Sequence, residues 1–177
     1  SGRIENFNQR NSRLVNENVY SILPDKDNTF LLGTLSALVH FNPEQRSFTT
    51  ISRESNGTPV TFQKITTLFR DSQKRLWVGS EEGISVFRQH GTEIERTPLL
   101  PASAITKSFT NYIYEAANGL IWVGTREGAY CFNEKNKQIK RYTTANGLPN
   151  NVVYGILEDS YGRLWMSTNQ GVSCFNP

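Results

Sequence analysis

One short pattern, an aromatic or leucine side chain followed two residues later by glycine or serine, recurs along the whole chain at a nearly constant spacing. Trp77, Trp122 and Trp165 stand 45 and 43 residues apart, and Leu31 takes the same place 46 residues before Trp77. Ten residues after each of these positions stands a phenylalanine: Phe41, Phe87, Phe132 and Phe175. A period of this length, with several matched columns, is typical of β-propellers, in which one repeat builds one blade.

Each repeat divides into short apolar segments separated by turn residues, as expected for antiparallel strands. We therefore predict an all-β fold, a β-propeller of about four blades with four strands each, either complete or part of a larger propeller. Residues 1–177 form one propeller region. The repeats are assigned to residues 8–51, 52–97, 98–143 and 144–177.

The two ends of the chain leave the closure of the ring open. Residues 3–7 resemble the polar fourth segment of the later repeats, and the chain stops after a third segment. We predict a fourth-type strand at 3–7. By pairing with the last blade, such a strand would close the four repeats into a ring. The alternative is an open array that belongs to a larger propeller, or that pairs with a second copy as a homodimer.

Composition excludes several classes of function. The 177 residues carry a net charge of +3 with no basic run, which argues against nucleic-acid binding. No apolar stretch is long enough to insert into a membrane. The two His and two Cys are too few for a metal centre or a disulfide framework, so we expect no metal and no cofactor.

The remaining candidates for chemistry fit structural roles better. Asp25, Asp71 and Asp159 share one repeat position, six residues before the anchor, which favours turn formation over paired-carboxylate catalysis. His40 and His90 have no ligand partner at metal spacing. Cys131 and Cys174 occupy equivalent positions in neighbouring repeats and are expected to be buried free thiols. No catalytic residue is assigned.

One face of the propeller is the better candidate for binding, because the loops that join fourth to first strands and second to third strands meet there. Amide, charged and tyrosine side chains on such a face suit sugar hydroxyls and sugar rings. The candidate ligand-binding residues are Asn16, Asn18, Tyr20, Glu81, Glu82, Asn111, Tyr112, Arg126, Glu127, Asn150, Asn151, Tyr154, Asn169 and Gln170.

The last repeat, from Asn146 to Pro177, resembles the two-component regulator propeller repeat, and weaker copies extend over the rest of the chain. The first copy departs most, with Leu31 for Trp and Ala37 for Gly. The resemblance implies a periplasmic, non-enzymatic sensor segment of a hybrid two-component system of the Bacteroidetes. It also implies oligosaccharide ligands, and as partners the other propeller blades or domains of the same receptor, with the histidine kinase elsewhere in the protein.

Two other functions stay open on the sequence alone. A protein–protein interaction scaffold would bind no glycan and would be covered by a partner on its apolar or loop surface. A propeller lyase or glycosidase would need clustered histidines, acids or a metal site on the loop face, and the sequence offers no such cluster.

Overall fold

The computed structural model describes residues 2, 4–98 and 108–176. Four antiparallel sheets follow one another along the chain, and within each sheet the strands lie in sequence order. We call these sheets blades 1 to 4. The strands are β1 Val19–Pro24, β2 Phe30–Thr34, β3 Leu38–Asn42, β4 Ser47–Ile51, β5 Ile65–Arg70, β6 Leu76–Ser80, β7 Gly83–His90, β8 Glu93–Arg96, β9 Thr110–Glu115, β10 Ile121–Thr125, β11 Gly128–Asn133, β12 Gln138–Tyr142, β13 Val153–Glu158, β14 Leu164–Thr168 and β15 Gly171–Phe175.

This architecture confirms the predicted all-β propeller of four blades. Each sheet lies within one of the four repeats assigned from the sequence, and two 3-10 turns, Lys26–Asn28 and Thr144–Asn146, are the helical elements of the described residues. The first strands of neighbouring blades pack together, β1 on β5, β5 on β9 and β9 on β13.

Apolar side chains fill the layers between blades. The Trp anchors of blades 2 and 3 are buried completely, Trp77 at 0% and Trp122 at 1% exposure. Trp77 packs in the layer between blades 2 and 3, and Trp122 in the layer between blades 3 and 4. The glycine two residues after Trp77 permits this approach, because a Cβ at Gly79 would lie 2.7 Å from Cγ2 of Thr110 in the next blade. The repeat thus encodes the spacing between blades as well as the strands.

The spacing of Asp and Trp that recurs between repeats has a hydrogen-bonding role, which the interpretation of these aspartates as turn residues did not include. Oδ2 of Asp71 accepts from Nε1 of Trp77 at 2.7 Å and from Nε of Arg75 at 2.6 Å, while Oδ1 accepts from the Arg75 backbone N–H at 2.8 Å. Asp159, Arg163 and Trp165 repeat this arrangement in blade 4. Hydrogen bonds from Trp165 and from Arg163 hold the pKa of Asp159 well below its ordinary value.

Blade 3 lacks this arrangement. Ala116 and Leu120 stand where blade 2 has Asp71 and Arg75, and Nε1 of the buried Trp122 has no partner among the described residues. The two substitutions go together physically, because an arginine without the carboxylate would be a buried unpaired charge.

The N-terminal segment does not form the predicted strand. Residues 4–7 of the segment expected at 3–7 form no strand, and Arg3 lies outside the described residues. Phe7 instead packs on Phe41 and Phe48 of blade 1, with ring centres 5.1 and 5.7 Å apart. The segment therefore packs on the aromatic surface of blade 1, and blade 4 has three strands.

The outward faces of blades 1 and 4 remain open. Leu157, Trp165 and Val172 of blade 4 are 64%, 39% and 62% exposed, and Ile22 of blade 1 is 64% exposed. The equivalent residues of blade 2, Phe69, Trp77 and Ile84, pack in an inter-blade layer. The two ends of the array therefore do not cover each other, which favours the open array over a ring closed through residues 3–7.

Candidate functional site

Every first strand carries a bulge at the same place, and this bulge positions the side chains of the loop face. The register shifts lie between Val19 and Ser21, between Ile65 and Thr67, opposite Gly124–Thr125, and between Val153 and Gly155. The bulged residues are Tyr20, Thr66, Asn111 and Tyr154. A bulge removes one residue from the ladder and redirects its side chain, so these four are free to make contacts other than ladder pairing.

Two of the bulged side chains connect neighbouring blades. Oγ1 of Thr66 donates to the backbone carbonyl of Thr110, and Nδ2 of Asn111 donates to the carbonyl of Val153 at 2.9 Å. The other two are tyrosines, Tyr20 at 45% and Tyr154 at 51% exposure. The hydroxyl of Tyr154 donates to Oδ1 of Asn169 at 2.7 Å, within the same blade.

Backbone hydrogen bonds show that the two sets of loops lie on one face. The Leu35 N–H donates to the Asn18 carbonyl, and the Lys64 N–H of the next blade donates to the Leu35 carbonyl. The Glu81 N–H donates to the Lys64 carbonyl in the same way. The loop after the second strand therefore contacts the loop before the first strand, both within a blade and between blades. We call this surface the loop face.

The loop face holds a row of alternating aromatic and cationic side chains. Nζ of Lys64 lies 5.5 Å from the ring centre of Tyr20 and 5.3 Å from that of Phe109. Arg126 contacts the Phe109 ring as well, and its guanidinium carbon lies 3.8 Å from the ring centre. A cation within about 6 Å of a ring centre is attracted to the ring face, by roughly 0.5–1 kcal/mol at exposed sites, so these contacts tie the row together. The sequence analysis found Tyr20 and Arg126 but missed Lys64 and Phe109, because their column has a different residue in every repeat.

The remaining predicted residues divide into turn formers and exposed groups. The side-chain oxygens of Asn16, Asn150 and Asn151 accept from the backbone N–H groups of Asn18, Val152 and Thr144, at 2.9, 2.8 and 2.8 Å. These three amides thus stabilise local turns. The residues with solvent-exposed side chains are Asn18, Glu81, Glu82, Arg126, Glu127, Asn169 and Gln170.

Tyr112 lies apart from the row around Lys64. It is 39% exposed and lines a shallow hollow of about 330 Å³ with Gly155, Trp165 and Val172 of blade 4. The structure therefore brings Tyr20 and Arg126 into one row with Lys64 and Phe109, and Tyr154 together with Asn169. Tyr112 instead belongs to the open face of blade 4.

Two further results limit the chemistry of the described residues. Over residues 2, 4–98 and 108–176 no three His, Cys, Asp or Glu side chains come close enough together to hold a metal ion. Within the same residues there is no helix of the length and apolarity that a bilayer crossing requires.

The comparisons with known proteins agree with the repeat pattern. The family model described as "Two component regulator propeller" matches residues 59–82 and 147–170. Histidine kinase P4 of Formosa agariphila is 28% identical over 100 residues, which are 55% of this chain and 7% of that protein.

Solved structures share the fold over nearly the whole chain. The extracellular domain of a protein described as the hybrid two component system BT3049 from B. thetaiotaomicron superimposes with a TM-score of 0.77 and 22% identity, covering 98% of this chain and 24% of that one. The extracellular domain of BT4673, described as another hybrid two component system of that organism, gives 0.76 and 23%, covering 95% and 22%. This chain thus spans about a quarter or less of each relative. It is a propeller array, and two of its repeats, at residues 59–82 and 147–170, match the two-component regulator propeller model.

Proposed function

We propose that this chain is a propeller segment of the extracytoplasmic sensor of a two-component signalling protein, and that its loop face binds an oligosaccharide. The repeat matches and the shared fold support the sensor role. The periplasmic location, the kinase and the partner domains of the same receptor follow as parts of this proposal.

The observation that carries the ligand-binding part is the exposed tyrosine surface of the loop face. Tyr20 and Tyr154 occupy the same bulged position in blades 1 and 4, and both remain about half exposed. Tyrosine offers an apolar ring to the face of a sugar and a hydroxyl to its edge. Asn169, already bonded to Tyr154, offers an amide N–H₂ group beside it.

A non-enzymatic role accompanies this proposal. Asp71 and Asp159, which stand six residues before the Trp anchors of their repeats, accept hydrogen bonds from Trp and Arg side chains of their own blades. Carboxylates held in this way are poorly placed for the acid and base roles of glycoside hydrolysis. Ligand binding would favour one of two arrangements of the receptor. The size of this shift depends on the difference between the ligand's affinities for the two arrangements.

The test is calorimetric titration of the 177-residue chain against a panel of neutral and acidic oligosaccharides. Tyr154→Ala should weaken binding of the best ligand, and Tyr161→Ala is the matched control, because Tyr161 is 80% exposed in the turn between β13 and β14. Equal affinities of both variants and the parent chain would refute the loop-face site. Product release from any oligosaccharide would support the lyase or glycosidase alternative instead.

A second candidate function, a protein–protein scaffold, is favoured by the open face of blade 4. Leu157, Trp165 and Val172 expose there the apolar positions that other blades bury. Exposed apolar patches of this kind mark contact surfaces. Sedimentation analysis of the chain would support this candidate if it self-associates through that face and Trp165→Asp restores the monomer.

A further inference from the structure

The first repeat departs from the repeat pattern at positions that line a cleft. Thr29 stands where blades 2 and 4 have Arg75 and Arg163, and His40 stands where blade 2 has Val86. Both residues line a cleft of about 1080 Å³. Its walls include the turn residues between β1 and β2, between β5 and β6, and between β7 and β8, so it lies at the end of the blades opposite the loop face.

One wall of the cleft is held by hydrogen bonds between blades 1 and 2. Without a Trp in its own repeat, Asp25 turns to the next blade. Its Oδ1 accepts from Nη2 of Arg70 at 3.1 Å, and its Oδ2 accepts from Nε2 of Gln89 at 2.7 Å. Gln89 also accepts from Arg70 at 2.7 Å and donates to the Gly91 carbonyl at 2.8 Å. This network fixes polar groups in the cleft wall before any ligand arrives.

A second polar contact lies on the blade 1 side. Nε2 of His40 is 3.1 Å from Oγ1 of Thr29, and Thr29 in turn donates to the Lys26 carbonyl at 2.7 Å. The second imidazole nitrogen, Nδ1, makes no hydrogen bond with any described residue. The wall therefore offers hydrogen-bonding groups to a polar molecule on both sides.

The charges that line the cleft do not balance. Arg70 is paired with Asp25, and Arg75 with Glu134 and with the buried Asp71, which does not line the cleft. Lys26, Lys74 and Arg88 make no salt bridge with a carboxylate of the described residues, and the remaining acid that lines the cleft is Asp27. Three unpaired cations thus face one unpaired carboxylate, so the cleft attracts anions.

We propose that this cleft is a binding site for an organic anion with two or more carboxylates on a hydroxylated skeleton. The unpaired cations Lys26, Lys74 and Arg88 would meet the carboxylates, while Gln89, His40 and Thr29 would bond the hydroxyls. Three unpaired cations against one unpaired carboxylate leave an excess of two charges, so two carboxylates match it and one alone would leave half of it unmatched. The site goes beyond the loop-face proposal, because it uses other residues at the opposite end of the blades.

The test is calorimetric titration with trigalacturonate, with its fully methyl-esterified form as the uncharged control and citrate as a small polycarboxylate. We expect trigalacturonate to bind at least about tenfold more tightly than its ester, with an affinity that falls as salt is raised. Tight binding of citrate alone would assign the site to small polycarboxylates instead of acidic sugars, within the same chemical class.

Two sets of variants locate the site. Lys74→Ala combined with Arg88→Ala should weaken trigalacturonate at least about tenfold. Lys140→Ala, which removes an exposed cation from β12 of blade 3, should change the affinity less than about twofold.

Several outcomes would overturn the proposal. Equal affinity for the ester and the acid, or equal losses in the Lys74/Arg88 and Lys140 variants, would show that the cleft does not select the anion. A loss of trigalacturonate binding in Tyr154→Ala would move the ligand to the loop face. Failure at the cleft with neutral oligosaccharides still bound at Tyr154 would leave the loop-face proposal standing, so the two results are distinguishable.

Discussion

The Asp–Arg–Trp arrangement occurs twice in this chain in different solvent environments, which makes a matched pair of substitutions informative. In blade 2 the side chain of Asp71 is 0% exposed and that of Arg75 is 8% exposed. In blade 4 the Asp159 and Arg163 side chains are 20% and 41% exposed. Asp71→Ala and Asp159→Ala both remove the acceptor of a Trp and an Arg side chain. Asp159 also accepts from the Tyr161 backbone N–H at 2.9 Å, so a smaller loss for Asp159→Ala would reflect its greater exposure.

The expected loss for Asp71→Ala follows from the groups that it leaves without a partner. Nε1 of the fully buried Trp77 loses its acceptor, which costs about 1–3 kcal/mol. Arg75 loses one of its two carboxylates but keeps Glu134, so the cost stays at or below the lower end of the 3–5 kcal/mol typical of a broken buried pair. We expect a loss of about 3 kcal/mol. Asp159→Ala should cost clearly less, because water reaches the groups it leaves unpaired.

The assay is urea denaturation of the parent chain and both variants, followed by far-ultraviolet circular dichroism and by tryptophan fluorescence. The two probes also report whether the four blades unfold together, as a free energy of unfolding requires. Equal losses in the two variants would refute the argument, and so would a loss for Asp71→Ala below about 1 kcal/mol.

Three further predictions concern single features. Arg75 donates to Glu134 and lowers the pKa of that carboxyl below its ordinary 4.5. The stability contributed by this pair is therefore present above pH 4.5 and is lost as the pH falls through the lowered pKa. The urea midpoints of the parent chain and Glu134→Gln should converge in acid, and a difference between the midpoints that stays constant with pH would contradict this. Burial raises the pKa of the Cys131 thiol to about 11, whereas Cys174 is exposed. Ellman's reagent should therefore modify one thiol of the folded chain and two thiols after unfolding. Rapid modification of both thiols in the folded chain would contradict this prediction. Gly79→Ala should cost about 1–3 kcal/mol in urea denaturation, because the added Cβ would lie 2.7 Å from a Thr110 methyl group. Gly155→Ala is the control for replacing glycine in a first or second strand, because its added Cβ would meet only Oγ of Ser167, at 3.3 Å.

Local sequence was sufficient for the strands and the blades because each blade is built from hairpins. A hairpin pairs residues close in sequence, so the apolar segments and the turn residues between them fix its strands. The segment 3–7 was misjudged because its resemblance to a fourth strand says nothing of which blade offers it the better surface.

The two thiols show the same division. Cys131 and Cys174 occupy one column of the repeat, and the free state expected for both is what the structure has. The expected burial of Cys174 is wrong, because blade 4 has no neighbour over the face where this residue lies, whereas blade 3 is covered by blade 4. A column in a repeat specifies a place in a blade, while exposure depends on what stands beside that blade.

Amino-acid sequence by itself determined the number of blades, the strands and the face on which the loops gather, because these follow from contacts between residues near in the chain. Tertiary structure decided the rest: the row formed by Tyr20, Lys64, Phe109 and Arg126, and the cleft beside Asp25. The row and the cleft join residues of different blades, about one repeat or more apart in the chain. Their proximity depends on how the blades stack, which no local pattern of apolar and polar residues records.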